Sequence, residues 1–293
     1  CGGRYMDLIS SVFECQDEFA SLGCDTKKVE GCTVITSQRC PDLYEFNHVR
    51  NIDFSGCTES QTIKRVEEIE RIFRENGRQY CRFHTDYRTA APGVERVLRD
   101  KGYHPVPILT QMFDMKSASN VVQTSDVGED VDIFEVDFSF DDGDRCLNEM
   151  WNYVLRQEYM NAVGYIDVGN LIDFKAYRIV KANSGFENCG KYRSYMASSS
   201  GQVAGHVELF CSKDVMYLAD LYIIPEFRMK KIASRLIDQV INTASESGCK
   251  AVYLNTYSFD TPRYMYIKHG FSDLTESISW IKGKEAEDDS VDM

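Results

Sequence analysis

No run of 18 or more apolar residues occurs anywhere in the 293-residue chain, and the opening Cys1-Gly2-Gly3-Arg4-Tyr5-Met6-Asp7 carries no apolar signal core. Membrane insertion and secretion therefore find no support, and a soluble cytoplasmic protein is expected. Cys-x-x-Cys pairs are also missing. The eleven cysteines are an odd number, and Cys15, Cys24, Cys32 and Cys40 follow no familiar zinc spacing, so reduced thiols are expected and no metal. Cys211 and Cys249 fall in or beside expected strands and read as core. Basic charge is in deficit, with 33 Lys and Arg against 46 Asp and Glu and a formal charge of -13. Such a field opposes nucleic acid and anionic membrane as partners, and it is compatible with a cationic one. The charge is unevenly spread: residues 126–149 hold ten acids and one base, and residues 285–293 hold five acids and no base.

The most informative stretch is residues 219–234, Ala-Asp-Leu-Tyr-Ile-Ile-Pro-Glu-Phe-Arg-Met-Lys-Lys-Ile-Ala-Ser. Leu221 to Ile224 has the content of a buried strand, and Pro225 removes the donor that further pairing needs. Beyond Ser234, Leu236, Ile237, Val240, Ile241 and Ala244 recur at helical spacing up to Gly248. Residues 228–233 thus form a turn at a helix start. Unpaired amides and the positive end of the helix dipole attract phosphate there, and Arg228, Lys230 and Lys231 add cations.

This turn resembles the Arg/Gln-x-x-Gly-x-Gly/Ala signature of the GCN5-related N-acetyltransferases (GNAT), with Arg228 first, Ala233 last and Lys231 in place of the first glycine. Tyr-Met-Tyr-Ile-Lys-His-Gly-Phe at 264–271 is similar to a second family motif downstream. The resemblance implies an α/β (α+β) GNAT fold: a mixed, mostly antiparallel central sheet flanked by helices. It implies acetyl-CoA as co-substrate and transfer of its acetyl group to a primary amine of a small metabolite, amino acid or peptide. The other reading is a non-catalytic acyl-CoA-binding or scaffolding protein, motivated by Lys231 in the glycine position and by the first half of the chain.

That first half looks like an earlier copy of the second. An amphipathic helix from Glu59, Gly77, strand Gln79 to His84, a helix over Gly93 to Lys101, Gly102 and strand Ile108 to Met115 run in the same order as the elements from Ser234 to Lys282. The expected organisation is a degenerate GNAT-like module over 1–116, a Ser- and Asn-rich linker over 117–128, a catalytic domain over 129–284 and a disordered acidic tail over 285–293. An unrelated α+β accessory domain is the alternative for the first half. Residues 1–58 are weakly periodic, with short strands at Cys32 to Thr36 and Tyr44 to Val49, and residues 41–48 can line an acceptor cleft. In the second half, helices over Asp144 to Asn161 and Gly169 to Ala182 precede an antiparallel meander over 191–197, 202–211 and 215–224.

By the resemblance, the pantetheine arm pairs with Leu221, Tyr222 and Ile223. Arg228, Lys230 and Lys231, with the amides of Met229, Ile232, Ala233 and Ser234, hold the pyrophosphate. Asn255 reaches the cofactor or caps the next segment. Tyr266 is the general acid for the departing thiolate, with Tyr264 as the fallback. For the general base, Asp220 and Glu208 both stand near the cofactor strand, and His206 shares a face with Glu208. Sequence alone leaves that choice open. No Ser-His or Cys-His pair suggests a covalent intermediate, so direct attack is expected.

Overall fold

The computed structural model describes residues 2–41, 43–78, 81–90, 93–116, 131–136, 145–160, 168–184 and 191–282. The expected linker and tail lie outside them. So does most of the acid-rich stretch 126–149.

Two units partition the chain, and neither is a continuous half of it. Unit 1 takes residues 1–22, 110–256 and 260–274; unit 2 takes residues 23–109, 257–259 and 275–293. The expected boundaries therefore change at both ends. Helix α1 (Gly2–Ser21), unforeseen in the sequence, packs in unit 1. There Arg178 donates from Nε to Leu22 O at 2.9 Å and stacks over the Phe19 ring. The final strand goes to unit 2, because Trp280 is fully enclosed in that core and donates from Nε1 to Thr85 Oγ1 at 3.0 Å.

Unit 2 contains β1 (Asp25–Val29), β2 (Cys32–Thr36), β3 (His48–Arg50), α2 (Glu59–Glu75), β4 (Cys81–Thr85), α3 (Val94–Asp100), the first part of β5 (His104–Asp114) and most of β11 (Ser272–Lys282). Strand order is β1-β2-β3-β4-β11, with only β3 and β4 parallel. Val66, Ile69, Ile72 and Phe73 of α2 are buried against Val34, Val49, Phe83 and Trp280. Within the stretch 41–48, expected to line an acceptor cleft, Leu43, Phe46, Asn47 and His48 instead pack inward. A short 3-10 turn, Tyr44–Phe46, occupies part of the expected strand, Leu43 and Phe46 are buried, and Asn47 Nδ2 donates to Cys40 O and Leu43 O.

Unit 1 contains α1, the end of β5, β6 (Val131–Glu135), α4 (Arg145–Met160), α5 (Val168–Asn183), β7 (Lys191–Ser199), β8 (Gln202–Ser212), β9 (Val215–Ile223), α6 (Ile232–Glu246), β10 (Ala251–Tyr257) and α7 (Pro262–Lys268). Its strands run β5-β10-β9-β8-β7-β6. From β6 to β9 pairing is antiparallel, and β9 with β10 is parallel. The expected elements form here with boundaries shifted by a few residues. Leu236, Ile237, Val240, Ile241 and Ala244 of α6 are buried against Leu209, Leu218, Val252 and Leu254. Each large side chain among them contributes about 1.5–3 kcal/mol of burial.

The suspected repeat is visible in how its helices end. Both α2 and α6 close with the same pair of bonds: Gly77 N to Arg74 O and Arg78 N to Phe73 O in one, Gly248 N to Ser245 O and Cys249 N to Ala244 O in the other. Both glycines have positive φ, 72° and 69°, as this cap requires. The shorter helices α3 and α7 also share a pattern, Tyr103 N to Leu98 O and Phe271 N to Tyr266 O. Leu98 and Tyr266 thus occupy equivalent cap positions.

The helix starts differ. At α2, Thr58 Oγ1 accepts from Gln61 N, and Gln61 Oε1 accepts from Thr58 N, a capping box that satisfies those amides from within the chain. No side chain caps α6. The first amides of α6 are therefore without a side-chain cap, whereas those of α2 are satisfied from within the chain.

Candidate functional site

Strand β9 pairs with β10 only from Val215↔Ala251 to Leu218↔Leu254, although both strands continue. The cause lies on the other side of β9. Its register with β8 slips between Glu208↔Asp220 and Leu209↔Leu218, leaving Ala219 as an extra residue. Such a bulge bends and twists its strand. Ala219 to Ile223 is left half-buried, with one ladder edge unpaired. An unpaired edge of this kind accepts an extended partner by main-chain hydrogen bonds. It is the edge on which the sequence placed Leu221, Tyr222 and Ile223.

Beyond it, Pro225–Phe227 makes one 3-10 turn and α6 begins at Ile232. Met229 and Lys231 both adopt the left-handed conformation, with φ of 62° and 60°. The lysine in the glycine position therefore holds the backbone a glycine would hold, at a cost of about 1–2 kcal/mol. The next amide after this turn bonded to a backbone carbonyl is that of Arg235, onto Lys231 O at 3.2 Å. Amides at 232–234 have no acceptor within the helix, as at any helix start. Arg228 Nε donates to Ile223 O at 3.1 Å, and Lys230 Nζ lies 4.7 Å over the Phe227 ring. Met229 is fully exposed. The turn is thus basic, strained and open, which suits an anion.

A buried charged cluster adjoins the bulge. Lys175 Nζ, from α5, is 2.6 Å from Asp220 Oδ2 and 3.2 Å from Glu208 Oε1. Tyr159 donates to Asp220 Oδ2 at 3.3 Å, and Tyr192 donates to Glu208 Oε2. His206 Nε2 meets Glu158 Oε2 at 2.9 Å, and its Nδ1 is 4.0 Å from Glu208 Oε1. The expected shared face of His206 and Glu208 is present, and both are enclosed.

These partners separate the carboxylates by role. For Asp220, burial favours the neutral acid, but the Lys175 ammonium outweighs it and holds the group at about 2. Glu158 goes the opposite way: burial pushes it up, the Asp220 charge adds to this, and it reaches about 7. Burial opposes charge on His206 as well, yet the bond to Glu158 outweighs it and raises the imidazole above its ordinary value. Two attractive carboxylates likewise outweigh burial at Lys175 and keep it charged. Asp220 is therefore a poor proton acceptor near neutrality, and Glu208 is engaged by Lys175 and Tyr192. Glu158 has the basicity a general base needs.

Glu158 and Lys175 are not among the site residues expected from sequence. A signal existed for both. Glu158 lies four residues after Val154 and seven after Trp151, on the inward face of α4; Lys175 lies four after the buried Leu171 of α5. A charged group on an apolar helical stripe needs a buried partner, and that partner is the cluster.

Tyr266 of α7 is 7% exposed, its ring edge-on to Phe271, and burial followed by the Asp220 charge keeps its hydroxyl protonated beyond the ordinary range. Tyr264, the fallback, is 64% exposed. Asn255 does not cap the following segment: its Oδ1 accepts from Thr110 Oγ1 at 2.8 Å and from Gln16 Nε2 at 3.2 Å.

Glu158, His206 and Asp220 each bring a possible metal-ligating atom within 4.8 Å of the others. Lys175 already supplies the cation at Asp220, so a divalent ion there meets like-charge repulsion.

A mixed sheet whose parallel pair parts beside a basic, uncapped helix start has the layout of an acyltransferase domain. Residues 147–271 match the model of the acetyltransferase (GNAT) family. The chain is 33% identical over 66 residues to a thialysine N-epsilon-acetyltransferase of Bos taurus, a match spanning 22% of this chain and 39% of that protein. Among solved structures, a functionally unknown conserved protein of Staphylococcus epidermidis is similar over 89% of this chain and 95% of its own (TM-score 0.62, 13% identity). A tandem GNAT protein from the clavulanic acid biosynthesis pathway is similar over 86% of this chain and 78% of its own (TM-score 0.58, 12% identity). A GCN5-related N-acetyltransferase of Kribbella flavida is similar over 92% and 94% (TM-score 0.61, 11% identity). These likenesses establish the fold. Among the described residues, no helix is long and apolar enough to cross a membrane.

Proposed function

We propose that the chain is a cytoplasmic N-acetyltransferase that moves the acetyl group of acetyl-CoA onto an aliphatic primary amine by direct attack. One observation carries this reading: the ladder edge freed after Leu218 runs straight into the open turn at Lys231, and the charged cluster lies beside it. When bound, acetyl-CoA supplies the thioester. The residues fit it: β9 from Ala219 to Ile223 offers backbone groups to an extended arm, and amides at 232–234 with Arg228 and Lys230 suit a diphosphate.

Glu158 takes the proton of the incoming ammonium, and His206 steadies its carboxylate at 2.9 Å. Asp220 stays charged beside it and favours a cationic acceptor. Backbone N–H groups of β9 polarise the carbonyl under attack. Tyr266, protonated at neutral pH, returns a proton to the departing sulfur. The match to an enzyme named for N-epsilon-acetylation supports a terminal primary amine as acceptor.

Thiol release from acetyl-CoA, followed with a panel of aliphatic amines, tests this. Release with at least one terminal amine is expected. Acetyl-CoA binding with no release for any amine would instead favour a non-catalytic acyl-CoA-binding protein.

A further inference from the structure

Away from this site, at the far end of α6, two thiols face each other. Cys211 Sγ, near the end of β8, is 3.1 Å from Cys249 Sγ. We propose that Cys211 and Cys249 form a reversible disulfide under peroxide, an oxidative modification site that staples the ends of the segment carrying β9, the basic turn and α6. A disulfide bond is about 2.05 Å long, so the sulfurs need only about 1 Å of travel.

The backbone on both sides holds this geometry. Cys249 N donates to Ala244 O, the second bond of the α6 terminal cap, so its position follows from how that helix ends. Lys213 and Asp214 both have positive φ, 54° and 61°, in the tight turn that joins β8 to β9 just past Cys211. The two segments are then tied together twice: Lys250 N donates to Asp214 O at 2.6 Å, and Lys250 Nζ meets Asp214 Oδ2 at 2.8 Å.

The two thiols also differ in a useful way. Cys211 is half-exposed, and Cys249 is buried. The hydrogen bond from Cys249 lowers the Cys211 thiol below its ordinary value, with Arg193 assisting against burial and the Asp214 charge. Cys249 is raised by the same contact and keeps its proton. Cys211 is thus the attacking sulfur and Cys249 the resolving one. Cys15 competes poorly, because it is fully enclosed and burial pushes it up to about 12.

The step balances. The Cys211 thiolate attacks one oxygen of hydrogen peroxide, the O–O bond breaks, and hydroxide leaves, giving a sulfenic acid. Cys249 sulfur then attacks Cys211 sulfur, the S–O bond breaks, and the Cys249 proton leaves with that oxygen as water. Two thiols lose two electrons and two protons, and one peroxide becomes two waters.

The test uses the full chain and does not depend on acetyl transfer. After brief peroxide treatment and alkylation of remaining thiols, non-reducing peptide mapping should show a Cys211–Cys249 cross-link that dithiothreitol removes. The oxidised protein should unfold at a Tm higher by on the order of 5–10 °C, given the length of chain enclosed. In Cys249→Ser, Cys211 should stop at sulfenic acid and react with a dimedone-type probe. A wild-type protein that yields sulfinic acid at Cys211 without the cross-link, or links Cys211 to another cysteine, would overturn the proposal.

Discussion

Glu158 and Asp220 share one buried cluster yet are shifted in opposite directions, up to about 7 and down to about 2. The consequences for stability have opposite signs. Glu158 is raised above its ordinary 4.5, so its contribution to folding is complete below that value and is lost as pH rises through about 7. Asp220 is depressed below its ordinary 3.8, so its contribution is present above 3.8 and is lost as pH falls through about 2. Denaturant titrations should therefore show wild-type stability falling between about pH 5 and 8, and less so in Glu158→Gln. The same variant should lower kcat by about 100-fold or more and abolish the rise in rate through neutral pH. An unchanged pH profile would remove Glu158 as the base. Lys175→Met should cost about 3–5 kcal/mol of stability, because it strands two buried carboxylates. Tyr266→Phe should lower kcat far more than acetyl-CoA affinity; equal losses would mean that its role is packing. These assignments show where sequence reading stops. Asp220 and Glu208 stand out beside the cofactor strand, but the lysine that disarms Asp220 comes from a helix 45 residues earlier in the chain. Only folding brings it there.

At the scale of elements, the turn before α6 is the part most legible in sequence. Pro225 ends the strand, the basic residues follow, and the helical stripe starts where expected. The effect of Lys231 was not legible. Sequence predicts that a side chain resists positive φ; the structure shows that it complies, at φ 60°. Two variants separate conformation from charge, since both remove the lysine side chain. Lys231→Gly should be more stable than Lys231→Ala by about 1 kcal/mol in thermal unfolding, because only alanine keeps the strain. Equal stabilities would mean that the left-handed turn costs nothing here. The parting of β9 from β10 is likewise invisible in composition, since a one-residue bulge at Ala219 changes register and leaves no mark on residue type.

Across the whole molecule, the repeat was legible because paired glycines punctuate both copies. The division of the chain was not. Sequence order suggests two consecutive modules, whereas α1 closes the core of unit 1 and residues 275–282 complete the sheet of unit 2. Helix α1 is faint in the sequence because its stripe of Ile9, Val12, Phe13 and Phe19 is interrupted by serines, a cysteine and acids, most of them of middling helix propensity. A fragment ending at residue 116 would leave unit 2 without Trp280 and its strand, so no cooperative unfolding transition is expected from it. A sharp transition would show that β11 is dispensable.

Amide hydrogen exchange with and without acetyl-CoA probes the freed edge and the basic turn together. Protection should appear at Leu221, Ile223 and residues 229–234. Acetyl-CoA that binds while leaving those amides unchanged, or that does not bind at all, would contradict the assignment of this edge as the cofactor site.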